Sequence, residues 1–211
     1  RLRFATTLYL FGLAALGTLA VGGREMALCA LAACLMLLSA AMELGYEPIC
    51  AGIRQRYLFS VGLRTLALTV PLADYFGKYL MAGVASNVVL QSLMIVMLGV
   101  HLALFFALIC FNRRQSPMLR ALSGVLGVFP ALTASAAAAL AVANLAQPAG
   151  IAAAAMLRAL GATGMFLGDR LMAANALGGI RLKYESVWEW LLLCGGLTLM
   201  TVGAWLTAAP M

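Results

Sequence analysis

The sequence has few charged residues, one histidine and no long polar stretch. Asp, Glu, Lys and Arg make up 10% of its 211 residues, against about 25% in soluble globular domains. That shortage excludes a water-soluble globular domain and a charge-rich disordered chain. The lone histidine, His101, excludes a cytochrome-type subunit whose haem is held by two histidines. The five cysteines, Cys29, Cys34, Cys50, Cys110 and Cys194, form no C-x-x-C pair. Most lie in apolar stretches, where a thiol packs as a small hydrophobe, so neither a redox pair nor a metal set is expected. The last apolar stretch, after Lys183, contains no lysine, which counts against a retinal Schiff base. What is abundant is apolar: hydrophobic residues are 64% of the chain and the mean hydropathy is +1.02.

A tilted helix crosses a bilayer in roughly 20 to 28 residues, so the length allows about seven or eight spans. Breaks in hydrophobicity and turn residues divide the chain into 2–22, 26–44, 57–84, 87–111, 118–145, 151–177 and 184–207. Pro71 falls inside the third segment. The apolar run after Arg1-Leu2-Arg3 is longer than the core of a signal peptide and a second span follows at once, so it is read as a membrane helix. The predicted fold is an all-α polytopic bundle of about seven spans, one domain over 1–211. The chain holds 14 Lys plus Arg against 7 Asp plus Glu. Arg1, Arg3, Arg54, Arg56, Arg113, Arg114, Arg181 and Lys183 fall at one end of these spans, and Arg24 and Lys78 at the other. By the positive-inside rule this predicts a cytoplasmic N-terminus and an outward C-terminus, in a bacterial inner membrane. The basic surplus is thereby assigned to loop orientation, with membrane lipids as partners and no nucleic acid. Tyr184, Trp188 and Trp190 would anchor one interface of the last span and Trp205 the other.

Ionisable residues inside spans are costly and are candidates for function. Asp74 and Lys78 stand four apart and are expected to pair. Asn87, Gln91, Met94, Leu98, His101 and Phe105 recur every three or four residues and share one helical face. The segment from Arg158 to Arg170 carries Gly161, Gly164 and Gly168, a groove where a second helix can come close, with Asp169 beside it. Arg64, His101 and Asp169 all lie two to three turns from the expected inner ends of their spans. If they meet, that layer has an imidazole, a carboxylate and a guanidinium suited to a phosphate. The candidate catalytic residues are therefore Asp169 and His101. The candidate substrate-binding residues are Arg64, Asn87, Gln91, Arg158 and Asn175. No metal or cofactor is required by this set.

The run Gly161-Ala162, Phe166, Gly168-Asp169, Leu171, Ala173 and Asn175, followed by a glycine turn and a final helix, resembles the YhhN/lysoplasmalogenase family of polytopic membrane enzymes. The likeness covers the last two helices. The Lys-Pro and Gly-Asp pairs that the family shows earlier have no clear counterpart, and Glu43 is the acid nearest the Gly-Asp position. The resemblance implies hydrolysis of the vinyl-ether bond of a lysoplasmalogen, an ether lysophospholipid, with release of a fatty aldehyde. The other readings of the same residues are a lipid or small-molecule transporter, a helical subunit of a larger membrane complex or a homo-oligomer, and a seven-helix sensor. The outward C-terminus weighs against the sensor.

Overall fold

The computed structural model describes residues 2–46, 53–81, 87–110, 117–178 and 185–208, which contain helix and short turns and no strand. The helices are α1 (Leu2–Val21), α2 (Arg24–Tyr46), α3 (Ile53–Met81), α4 (Asn87–Phe105), α5 (Pro117–Leu126), α6 (Val128–Ala143), α7 (Ala149–Ala173) and α8 (Glu185–Ala208). Wider π-turns extend α4 over Phe106–Cys110 and α7 over Ala174–Gly178. Among the described residues the chain thus forms seven rods, α5 and α6 making one. Arg1, Cys50, Arg113, Arg114, Arg181, Lys183 and Tyr184 lie outside the described residues, as do the side chains of Arg3, Glu43, Arg54, Arg56 and Asn87.

Five rods are long and apolar enough to cross a membrane: Arg24–Met42, Val88–Cys110, Pro117–Ala143, Ala149–Ala173 and Val187–Ala208. The apolar part of α1, Phe4–Ala20, is shorter, and α3 carries Arg64, Asp74 and Lys78 within its length. These rods have the length and composition of an integral membrane protein.

Two corrections to the sequence reading concern where helices stop. Arg54 and Arg56 belong to α3, not to a loop, because α3 starts at Ile53. The segment 118–145 is a single rod over Pro117–Ala143 whose helix is interrupted at Gly127. Pro130 explains the break, since it has no N–H to give the Leu126 carbonyl one turn earlier. Pro71, by contrast, is accommodated within an unbroken α3. There Thr133 of α6 donates to the Leu68 carbonyl at 2.8 Å, supplying a side-chain donor in the turn before the proline.

Between helices in lipid, apolar burial offers little drive, and close packing of small residues takes its place. The rod containing α6 is central. Ala131, Ala134, Ala136, Ala137, Ala139 and Ala141 are all buried, and α6 packs against α3, α4 and α7. The α4 rod is peripheral: 11% of its span is buried against 56% for the α5–α6 rod. Its Ile95, Val96 and Leu102 face outward. The predicted glycine groove is occupied by α8. A Cβ on Gly161 would meet the carbonyl oxygen of Gly196, and one on Gly203 would lie 2.7 Å from the Ala154 carbonyl oxygen. The α1–α2 hairpin turns on Gly22 (φ 69°) and Gly23 (φ 125°), conformations that a side chain would strain.

Candidate functional site

The break at Gly127 gathers side chains from α4, α5 and α7. A helix leaves its last four carbonyls without backbone partners. In α5, which ends at Leu126, the Ser123 carbonyl still accepts the Gly127 N–H at 3.1 Å, and two carbonyls of this last turn accept side-chain donors. Arg170 Nη1 donates to the Ser123 carbonyl at 3.1 Å. His101 Nε2 lies 2.8 Å from the Gly124 carbonyl. A carbonyl only accepts, so Nε2 carries the proton in this bond. The negative end of the α5 dipole favours both of these donors. Arg170 also closes on its sequence neighbour, with Nε 3.1 Å from Asp169 Oδ2 and Nη2 bonded to the same oxygen. Adjacent helical residues do not normally face each other. Here the length of the arginine side chain allows it to fold back onto the carboxylate.

Gly127 makes this assembly possible. A Cβ there would collide with the Arg170 guanidinium and with His101 Cε1. His101, Asp169 and Arg170 are each no more than 2% exposed. Three buried polar atoms in this region, His101 Nδ1, Ser123 Oγ and Asp169 Oδ1, have no hydrogen-bond partner among the described residues. Buried polar atoms are nearly always paired. Three such atoms on three helices leave a nitrogen base, a hydroxyl and a carboxylate oxygen without partners around the break.

The remaining candidates are dispersed. Arg64 is buried between α2 and α3, where Nε donates to Ser39 Oγ at 3.1 Å and Nη2 to Ser60 Oγ at 2.7 Å. It borders a cavity of about 30 Å³ with Thr7, Trp190 and Cys194. Asn175, in the π-turn after α7, donates to Glu189 of α8 at 3.2 Å. Gln91 is exposed near the start of α4. The side chain of Asn87 is not among those described.

Arg158 belongs to a second charged cluster at the opposite end of the bundle, near the α1–α2 turn. It reaches Glu25 of α2 at 2.6 Å. Lys78 pairs with the other Glu25 oxygen and with Asp74 at 2.9 Å, so the expected Asp74–Lys78 pair is present. Arg24 approaches Asp74 at 3.1 Å. A cavity of about 240 Å³ opens beside Glu25, Tyr75, Lys78, Asn144 and Arg158.

Two features of these clusters were not read from the sequence. Arg170 stands in the glycine-rich run next to Asp169, and only its neighbour was singled out. The spacing Gly124, Gly127, Pro130 was the available signal for a helix break with room for a large side chain. Cys29, Cys34, Cys110 and Cys194 form no disulfide among the described residues. No group of three or more His, Cys, Asp or Glu residues able to hold a metal occurs among the described residues. No family model matches the chain, and no curated protein or solved structure does so. Its helices and their apolar surfaces define the class, an all-helical protein built for a membrane.

Proposed function

We propose that this chain is a membrane hydrolase of the lysoplasmalogenase kind, acting on the vinyl-ether bond of ether lysophospholipids. The observation that supports it is the set of open polar atoms at the Gly127 break, His101 Nδ1, Ser123 Oγ and Asp169 Oδ1. The likeness of 161–175 to the YhhN family points the same way. In this reading, protonated His101 keeps its Nε2–H on the Gly124 carbonyl and delivers the Nδ1 proton to the vinyl carbon remote from the ether oxygen. The oxocarbenium ion so formed is attacked by water, whose proton passes to Asp169. The hemiacetal then collapses to a glycerol hydroxyl and a fatty aldehyde, so one water is consumed for each C–O bond cleaved. Arg170 is a positioning residue that fixes the Asp169 carboxylate, and Arg64, set apart between α2 and α3, is the candidate cation for the headgroup phosphate.

The test is aldehyde release from lysoplasmalogen by the purified protein. General acid–base groups contribute about 10²- to 10⁴-fold, so Asp169→Asn and His101→Ala should each lower the rate by at least about 10²-fold with the fold retained. No aldehyde from well-folded wild type would overturn the reading. A second reading, a non-catalytic carrier of a lipid or small molecule, is favoured by the charged cavity at the opposite end. Under that reading neither substitution changes the chemistry of any ligand.

A further inference from the structure

We propose that the cavity near the α1–α2 turn binds an anionic phosphate group, belonging either to a lipid headgroup or to a soluble phosphate ester. This inference is independent of the hydrolase reading, because it uses none of the residues at the Gly127 break. The cavity is about 240 Å³, and a water takes up about 30 Å³ of liquid. It is therefore sized for a headgroup-like molecule and not for a single ion.

The charges on its wall do not balance. Lys78 and Arg158 face it against Glu25 alone. Adding the neighbouring Asp74 and Arg24 keeps an excess of one positive charge. Both carboxylates are already engaged. Glu25 Oε1 holds Lys78, and Oε2 holds Arg158 at 2.6 Å and Thr207 Oγ1 at 3.1 Å. Asp74 holds Lys78 and Arg24.

The cations are less fully used. Lysine has three N–H donors and arginine five. The bonds of Arg158 use Nε, to the Ala154 carbonyl, and Nη1, to Glu25. Glu25 therefore acts as a positioning residue that holds two cations at the cavity wall while their spare donors serve a ligand. The Tyr75 hydroxyl adds a further donor on the same wall. Ile151, in the first turn of α7, also lines it, and the positive end of that 25-residue helix favours an anion. Ala137, Leu140 and Ala155 form the apolar side, which suits the carbon skeleton of an ester. A phosphodiester brings one negative charge and several acceptor oxygens, matching the excess charge and the donor-rich wall.

The experiment uses the purified full chain in detergent. Phosphatidylglycerol and, as a control that lacks the phosphate, diacylglycerol are titrated and read by native mass spectrometry. Inorganic phosphate and glycerol 3-phosphate are titrated by calorimetry. The expected result is binding of phosphatidylglycerol or of the soluble phosphates, weakened at least tenfold by Arg158→Gln and by Ile151→Trp. The tryptophan fills the cavity and leaves every charge in place, so it decides the matter if Arg158→Gln does not fold. Competition by the soluble phosphates assigns the site to a free ester, and binding of the lipid alone assigns it to a headgroup. Binding of neither probe, equal binding of diacylglycerol, or full affinity in either folded variant would overturn the proposal.

Discussion

The two ends of this bundle hold similar residues under opposite conditions. At the Gly127 break, Asp169 and Arg170 pair at no more than 2% exposure, next to an equally buried histidine. At the α1–α2 turn end, Lys78 is 36% exposed and Arg24 77%, and the ion pairs border a cavity. The first cluster is closed and leaves polar atoms unmatched. The second is open and leaves a charge unmatched. Desolvation magnifies electrostatic effects at the closed end and screening dilutes them at the open end, so equivalent substitutions should have very unequal effects.

The largest effect is expected from Arg170→Met. It removes the partner of a buried carboxylate and one donor to the α5 end. Breaking a buried pair costs about 3–5 kcal/mol, so the thermal midpoint in detergent should fall steeply. Asp169→Asn keeps the shape and removes the charge, and should cost less. If Arg170→Met unfolds at the wild-type temperature, the closed end is not held by this pair.

Gly127→Ala comes next. The added methyl has no room beside Arg170 and His101, and overpacking of this kind costs about 1–3 kcal/mol. Gly195→Ala is the matched control, since nothing lies within 4 Å of its would-be Cβ. Alanine is the better helix former, by about 0.8–1.0 kcal/mol, so that variant should be neutral or more stable. Equal effects in a thermal unfolding comparison would show that the room at Gly127 is not used. A third test separates the helix groove from both ends: Gly161→Val should loosen α7 from α8, where the Gly196 carbonyl and Met200 leave no room for a larger side chain.

These contrasts also explain how much the sequence could disclose. Apolar length and turn residues made the helical bundle legible, because a backbone in lipid has to satisfy its own hydrogen bonds within helices. The glycine run 161–168 was legible as a groove because only small residues permit such an approach. The break at Gly127 was missed because a proline one turn into a helix can either start it or interrupt it. The pairing of Asp169 with Arg170 was hidden by helical geometry, since neighbours in sequence ordinarily point apart and only a long, flexible side chain reverses that. Arg158 and Asp169 lie on one helix, yet they serve different clusters because about three turns of α7 separate them.

The smallest effect should come from Arg24→Gln. Its pair with Asp74 joins an exposed guanidinium to a carboxylate that also holds Lys78. Exposed pairs contribute about 0–1 kcal/mol, and Lys78 keeps Asp74 compensated when Arg24 is lost. The thermal midpoint should barely move. What should change is its response to salt: with one cation fewer, the excess positive charge of the cluster disappears, and added salt then has less repulsion among Arg24, Lys78 and Arg158 to screen. A midpoint measured at about 0.01 M and again at about 1 M salt spans Debye lengths of roughly 30 to 3 Å. A smaller salt dependence in Arg24→Gln than in wild type is the expected result. An unchanged salt dependence would mean that the open end is already balanced, and the contrast with the closed end would then rest on burial alone.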